Sequence, residues 1–588
     1  MRLFLVISSI PAFDTAPVLK QIVKWLNSLA PNTRRIIQTC AFGISAGLVG
    51  VAFHYAIHWL FDFAMVHQAD IHPEQFIWIS LVVILVTSLI SGYLLYQYCP
   101  EASGSGIPQL KMAYWKDFGV MPFRVVWVKF IAGVLTIGGG TSLGREGPSV
   151  QLGGAIASKV ASLLGVAKQN RRTAAAAGAA AGLAAAFNAP LAAMTFVLEE
   201  VIEDLNSRNL GSVIFSSMIG AVLVYALIGQ HPAFSLKEDL DAQWLVYLLI
   251  PLVSCASAAS GILFQLLTLS IRARAKEIRW FPNWCKPAVG GLITWALGIS
   301  VFIYTGHLGV FGLGYEDLSS ALANNLPWTI AGLLFVTKLL ATAFSYGSGG
   351  CGGIFAPTLF LGAMCSLFLV GLIEFFVPLR PDDRVLLAVV GMSCCMGAVV
   401  RAPVTSILIV FEMTHQFSLV PALMLGTLLS QFIARKMTAE GLYQALLHQD
   451  GHRIEHIIPP RDLQSWQNYP VAAIAKFKPV SAASLEPDHL RELINDYAYQ
   501  RFPVIEDGQL SGILTREEIE HSLELNRPPR LGKAKTCQRH QSINEAQFGL
   551  IESEEGIVVI LDEEDEPVGV LTLHDLVRAE RQIASNQE

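Results

Sequence analysis

Gly144-Arg145-Glu146-Gly147-Pro148 decides how this chain is read. The pentapeptide sets a carboxylate, Glu146, between long glycine- and alanine-rich apolar stretches that hold few other acids. An ionisable side chain at membrane depth is costly and marks a functional site. Whether Glu146 stands at such a depth depends on what surrounds it.

The 588 residues are 53% hydrophobic and 15% charged, with a mean hydropathy of +0.48. That balance lies outside ordinary soluble enzymes and inside polytopic membrane proteins. A net charge of -6 without a basic run gives no reason to expect a nucleic-acid partner. The nine cysteines are scattered, without the spacing of a metal site, and read as small core hydrophobes. Met1 to Ile10 is only faintly like a signal peptide: the apolar run is short, one basic residue precedes it, and no small-residue cleavage site follows before Asp14. A retained, cytoplasmic N-terminal segment, residues 1–34, is therefore expected. Within it, residues 17–31 have helical apolar spacing interrupted by Lys20 and Lys24, which suits an amphipathic helix lying on a membrane surface.

Long apolar segments begin at about Arg35 and Phe76. Beyond Tyr98 they are interrupted by Ser103-Pro108, Gly138-Pro148 and Gly347-Pro357, which are poor continuous helices and predict broken ones. Several later apolar segments are too short to cross a hydrocarbon core alone. An internal repeat is also legible. Ala189-Pro190 and Ala402-Pro403 each open an apolar run that reaches a glutamate nine residues after the proline, Glu199 and Glu412. Upstream, Gly147-Pro148-Ser149-Val150 matches Ala356-Pro357-Thr358-Leu359 at nearly the same separation. Two matches in register define two halves, about 35–229 and 244–447, and place a substrate site at their interface.

After about Leu447 the chain becomes charged and proline-punctuated. Residues 501–515 and 556–572 each read as strand, turn, strand, with room for a helix to follow, so residues 448–588 form a separate, duplicated soluble module.

Gly104-Ser105-Gly106-Ile107-Pro108, Gly144-Arg145-Glu146-Gly147-Pro148 and Gly353-Ile354-Phe355-Ala356-Pro357, in this order and followed by Tyr443, resemble the signature motifs of the CLC chloride channel and transporter family over residues 35–447. The tail resembles a pair of CBS motifs, which often follow the membrane domain in that family. The resemblance implies a mainly α, polytopic membrane protein of two inverted repeats with broken helices, followed by a small α/β CBS-pair domain. It further implies a homodimer in the lipid bilayer, in bacteria the inner (plasma) membrane, with the C-terminal domain cytoplasmic.

The chemistry of these motifs suits an anion whatever the family. A helix N-terminus presents unpaired N–H groups and a partial positive charge, and glycines let the backbone approach the ion. Ser105 is the candidate hydroxyl ligand, though the same residue is a natural helix cap. Ile354 and Phe355 would supply backbone N–H groups. Tyr443 is a second hydroxyl ligand by resemblance, against the alternative of an interfacial aromatic anchor. Glu146 resembles the family's gating glutamate, whose alternative is a carboxylate stabilising a helix N-terminus. Arg145 would be a structural partner or part of a positive vestibule.

Neighbouring positions on a helix point about 100° apart, so Glu199 and Glu200 should differ in role. The family pattern places internal proton transfer at Glu200, with two solvated vestibular carboxylates as the alternative, and leaves Glu199 and Glu412 as fold elements. The alanine-rich run Ala174 to Ala186 reads as close helix packing. His58, His67, His307 and His415 read as ordinary packing or surface residues. In the tail, Thr515, Glu518, Thr572 and Asp575 fit the CBS pattern that can hold an adenine nucleotide, or a purely structural tail.

The function these features imply is chloride/proton antiport, with chloride and protons as substrates and no required cofactor, and not enzyme catalysis. A passive chloride channel is the alternative, disfavoured by Glu200. A cation carrier with a CBS tail is a more distant one.

Overall fold

The computed structural model describes residues 21–452 and 469–585, apart from 22, 27, 206–208, 230–232, 235, 237–242, 279, 507 and 554. The chain divides into two compact units, Met1–Ile454 and Glu455–Glu588. The first ten residues lie outside the described ones, as do 17–20 of the expected surface helix. The described residues between 21 and 28 are helical, with Leu26 buried and Lys24 and Trp25 exposed.

In the first repeat the helices are α1 (Pro31–Phe61), α2 (Pro73–Tyr98), α3 (Ile107–Lys116), α4 (Arg124–Gly133), α5 (Glu146–Leu163), α6 (Arg171–Phe187), α7 (Pro190–Phe196) and α8 (Leu210–Leu227). The second repeat holds α9 (Ile250–Glu277), α10 (Lys286–Thr305), α11 (Tyr315–Leu322), α12 (Trp328–Gly347), α13 (Phe355–Ile373), α14 (Pro381–Val400), α15 (Pro403–Thr414) and α16 (Val420–Met437); α17 (Leu442–Gln449) follows. Among the described residues, nine helical stretches are long and apolar enough to cross a membrane. Others, such as α3 with 10 residues and α7 with 7, are too short to cross it alone, as the interrupted sequence predicts.

The halves meet at the pentapeptide motifs. Gly144 and Gly353 form an antiparallel bridge, with N–H to carbonyl distances of 2.8 and 2.5 Å. Two residues later each chain enters a helix, at Glu146 and at Phe355. The helix after each motif packs on the next one closely: a Cβ on Gly153 would lie 2.2 Å from the Gly178 carbonyl oxygen, and one on Gly362 would lie 2.1 Å from that of Gly391. The alanine-rich run thus serves close packing, the same contact appearing in both halves.

A second exchange ties the repeats together. Glu199 accepts hydrogen bonds from the Val404 and Thr405 backbone N–H groups at 3.1 and 2.8 Å, at the start of α15. Reciprocally, Glu412 accepts from Leu191 and Ala192 at 3.0 and 2.7 Å, at the start of α7. Each half therefore supplies the carboxylate that satisfies the other half's exposed helix N–H groups and faces its dipole.

Two buried lysines obey the same symmetry. Lys129 Nζ donates to the carbonyls of Ala102 and Gly104 at 2.9 and 2.6 Å. Lys338 Nζ donates to those of Gly309 and Gly312, both at 2.8 Å. Gly104-Ser105-Gly106 and Gly312-Leu313-Gly314 are thereby equivalent loops, each with two glycines at positive φ, leading into α3 and α11. The second of these broken-helix loops escapes the sequence reading.

In the tail, strands β1 (Lys476–Phe477), β2 (Arg501–Glu506), β3 (Gln509–Thr515), β4 (Lys535–Gln538), β5 (Ile557–Leu561) and β6 (Pro567–Thr572) alternate with α18 (Pro487–Asp496), α19 (Arg516–Leu525), α20 (Ile543–Glu552) and α21 (Leu573–Ser585). β2 and β3 pair antiparallel, and a sheet ordered β1-β6-β5-β4 carries the second motif. Both expected strand pairs form across their turns, each with a shift of register near the turn, at Val504/Ile505 and at Ile560/Leu561.

Glu412→Gln removes the charge from a cap that holds two backbone N–H groups. It should destabilise the membrane unit by about 1 kcal/mol, read as a lowered Tm of the detergent-purified protein, with Glu199→Gln behaving alike.

Candidate functional site

Four helix N-termini converge on the interface between the repeats. Glu146 and Phe355 are the first residues of α5 and α13, Tyr315 the first of α11, and Ser105 lies two residues before Ile107, the first of α3. The approach is close: a Cβ on Gly147 would lie 2.8 Å from the Ser105 Cβ and 3.2 Å from the Gly353 Cα. The first N–H groups of each helix have no intrahelical partner, so a partial positive charge gathers here without a lysine or arginine head group.

Ser105, Ile354, Phe355, Glu146 and Tyr443 are all buried, Tyr443 on the first turn of α17. The Phe355 and Tyr443 rings lie 6.4 Å apart, edge to face. The Tyr443 hydroxyl has no hydrogen-bond partner among the described residues, an arrangement costly for a buried O–H unless it serves a ligand. Ser105 accepts a long, 3.4 Å bond from the Ile107 N–H, so its role as a cap is weak.

Sequence reasoning missed Tyr315, whose hydroxyl donates to Glu146 Oε1 at 2.9 Å. Arg145 stands with its guanidinium 5.7 Å from the Tyr315 ring centre and donates to the Ala186 carbonyl. The signal that could have found Tyr315 is Gly312-Leu313-Gly314, the repeat mate of Gly104-Ser105-Gly106. Arg145 and Tyr315 line a cavity of about 250 Å³ together with His54, His58, Asp62 and Glu316. His58 meets Asp62 at 3.2 Å and His307 meets Asp317 at 2.6 Å, so two of the four isolated histidines belong to polar pairs.

Glu199 and Glu200 lie not on a regular α-helix but on a π turn, Val197–Ile202, that continues α7. One extra residue per turn is a recurrent feature of functional sites. Here Glu199 turns to the cap on α15, while Glu200 meets Lys111 Nζ at 2.9 Å. Lys111 also meets Glu203 at 2.5 Å and is nearly inaccessible to solvent. A second cavity of about 380 Å³ is lined by Lys111, Glu200, Glu203, Arg401 and Tyr443, so Glu200 and the candidate anion ligand share one chamber. A third, of about 440 Å³, is lined by Gly104, Tyr346, Arg272, Lys276 and Lys286.

In the tail, the four candidate nucleotide residues are engaged with their own chain. Thr515 Oγ1 accepts from the Glu518 N–H at 3.2 Å, and Glu518 pairs with Arg527 at 3.1 Å. Asp575 Oδ2 accepts from the Thr572 hydroxyl at 2.6 Å and from its N–H at 3.0 Å. The recurring threonine and acid are thus helix-start devices in both motifs.

The sequence profile described as voltage gated chloride channel matches residues 87–435, and the CBS domain profile matches 484–524 and 528–582. The chain belongs to the CLC family. It is 32% identical to the H(+)/Cl(-) exchange transporter ClcA of Vibrio campbellii over 417 residues, which cover 69% of this chain and 87% of that one. It is 30% identical to the ClcA of Yersinia pseudotuberculosis over 419 residues, 70% and 87% of the two chains. Among solved structures, a slow cyanobacterial Cl-/H+ antiporter aligns with a TM-score of 0.63 at 25% identity, over 72% of this chain and 99% of the other. A eukaryotic CLC transporter aligns over 92% of this chain and 98% of its own, with a TM-score of 0.60 at 22% identity, which supports the fold of this CLC protein. Family membership and the apolar helices together make it a multi-pass membrane protein.

Thr572→Ala deletes one half of the α21 start. It should destabilise the second CBS motif by about 1 kcal/mol, seen as faster amide hydrogen exchange in residues 573–579 of the full-length protein.

Proposed function

We propose that this CLC protein is a chloride/proton antiporter. The observation that carries the reading is Glu146: a buried carboxylate on a helix N-terminus, among convergent N–H groups, where the other repeat has the uncharged Phe355. A carboxylate so placed occupies the kind of position a halide would take, and protonation removes its claim on it. Ser105, Tyr443 and the Ile354 and Phe355 N–H groups form the chloride site, giving partial positive charge without the trapping that a full cation would bring.

Glu200 is the internal proton-transfer residue in this reading. It lines one cavity with Glu203 and the buried Lys111, whereas Gly104 faces the separate cavity with Arg272, Lys276 and Lys286. Proton and anion therefore take different routes on the Glu200 side and meet at Tyr443 and Glu146. The relatives named as H(+)/Cl(-) exchange transporters support the same assignment. The protein acts as a homodimer in the inner membrane, with the CBS pair in the cytoplasm, and residues 1–34, 35–447 and 448–588 form its N-terminal segment, transport domain and regulatory tail. Adenine nucleotide is the regulatory ligand proposed for the tail through Thr515, Glu518, Thr572 and Asp575; to reach Glu518 it displaces Arg527.

Purified protein in liposomes under opposed chloride and proton gradients should reverse at a potential between the two equilibrium values. A reversal potential that sits at the chloride value at every pH means a passive channel. Glu146→Ala should keep chloride flux and lose chloride-driven proton pumping. Tyr315→Phe withdraws a hydrogen bond to the charged carboxylate worth about 2 kcal/mol; chloride then competes better, and its affinity should rise about thirtyfold in a titration of the purified protein.

A further inference from the structure

Tyr346 is the penultimate residue of α12, next to the chloride site but outside every motif that identifies it. Its side chain is almost fully buried. The hydroxyl stands between two groups of one residue: Tyr346 Oη accepts from the Ser105 N–H at 3.4 Å and donates to Ser105 Oγ at 3.2 Å.

The direction of the second bond decides the polarity of Ser105. A serine hydroxyl has one proton to donate and two lone pairs to accept with. Ser105 Oγ accepts from Tyr346 Oη and also from the Ile107 N–H. The oxygen thus faces two donors, Tyr346 Oη at 3.2 Å and the more distant Ile107 N–H at 3.4 Å, which turns the Ser105 proton away from them and toward an acceptor. Were Tyr346 a phenylalanine, one lone pair would be released and the same hydroxyl could present oxygen to a cation or to a donor. The Tyr443 hydroxyl, buried and without a partner among the described residues, supplies a further O–H to the site.

Tyr346 also forms part of the wall of the cavity of about 440 Å³ that holds Arg272, Lys276 and Lys286. Two of these cations pair with Asp450, at 2.9 and 2.5 Å. The chamber remains cationic on balance among these four groups and lies beside the serine that Tyr346 orients. Gly104, the neighbour of Ser105, lines the same cavity.

We propose that Tyr346 is a specificity-determining positioning residue of the anion site: by donating to Ser105 it fixes the serine hydroxyl as an obligate donor, which favours small anions such as halides and rejects cations. The inference rests on the assignment of Ser105 as a chloride ligand. It goes beyond that assignment by naming the residue that gives the ligand its polarity.

The test is calorimetric titration of chloride into the purified full-length protein and into Tyr346→Phe, Ser105→Ala and the double variant. Phenylalanine keeps the ring and its packing and deletes only the oxygen. Loss of one neutral hydrogen bond predicts about fivefold weaker chloride binding in Tyr346→Phe. Because Tyr346 acts through Ser105, the double variant should bind chloride no more weakly than Ser105→Ala alone. Wild-type chloride affinity in Tyr346→Phe, or an undiminished effect of the same change in the Ser105→Ala background, overturns the inference while leaving the chloride site in place. Wild-type affinity in Ser105→Ala removes Ser105 from the site and takes both readings with it.

Discussion

The membrane unit depends on the pair of backbone hydrogen bonds between Gly144 and Gly353. Two strands of a single residue each would contribute little in water, where the same groups bond to solvent. At the centre of a protein with no water to satisfy them, they fix the one point where the two repeats are in register. From that point the chain can only turn into helices on either side, so the N-termini of α5 and α13 face each other across the bridge. The lysines at 129 and 338 repeat the principle one layer out. Each places its charge among carbonyls that a broken helix leaves unpaired, which balances the cost of burying an ammonium group.

Symmetry builds the scaffold and its violations build the chemistry. Gly144 and Gly353, Lys129 and Lys338, Glu199 and Glu412 are matched, and each pair does the same mechanical task in both halves. Ser105 and Leu313 are not matched, nor are Glu146 and Phe355, nor Ile107 and Tyr315. These three mismatches fall within the cluster of helix N-termini, and in each of them one side carries a hydroxyl or carboxylate where the other is apolar. Two mechanical half-sites thus become one polar, directional site with a titratable group at one end.

Much of this was legible in the sequence because glycine and proline interrupt otherwise apolar runs. Ser103-Pro108, Gly138-Pro148 and Gly347-Pro357 stand out for that reason, and the proline-to-glutamate spacing reveals the duplication. Gly312-Leu313-Gly314 has no proline to mark the following helix and lies among ordinary loop residues, so its equivalence to Gly104-Ser105-Gly106 emerges only from the lysine contacts. Lys129 and Lys338 stand in sequence as isolated charges in apolar helices; what they hold is set by backbone carbonyls, which carry no sequence signal. Tyr346 follows the same rule, since the residue it serves lies in the other repeat. The π turn at Val197–Ile202 is invisible to a helical period and separates Glu199 from Glu200 more decisively than an α-helix would. In the tail, the threonine-to-acid spacing was plain, yet that pattern is shared by helix capping and by ligand binding.

The reciprocal carboxylates also set an order on biogenesis. When the ribosome has delivered α7, the N–H groups of Leu191 and Ala192 lack the residue that will satisfy them, because Glu412 has yet to be synthesised. Glu199 likewise waits for α15. The first repeat lacks its partner until α15 of the second is in place, and that one helix closes both caps together. A nascent chain of this kind is held immature until its second half arrives, so premature termination leaves an intermediate with two unsatisfied helix ends, a natural target for membrane quality control.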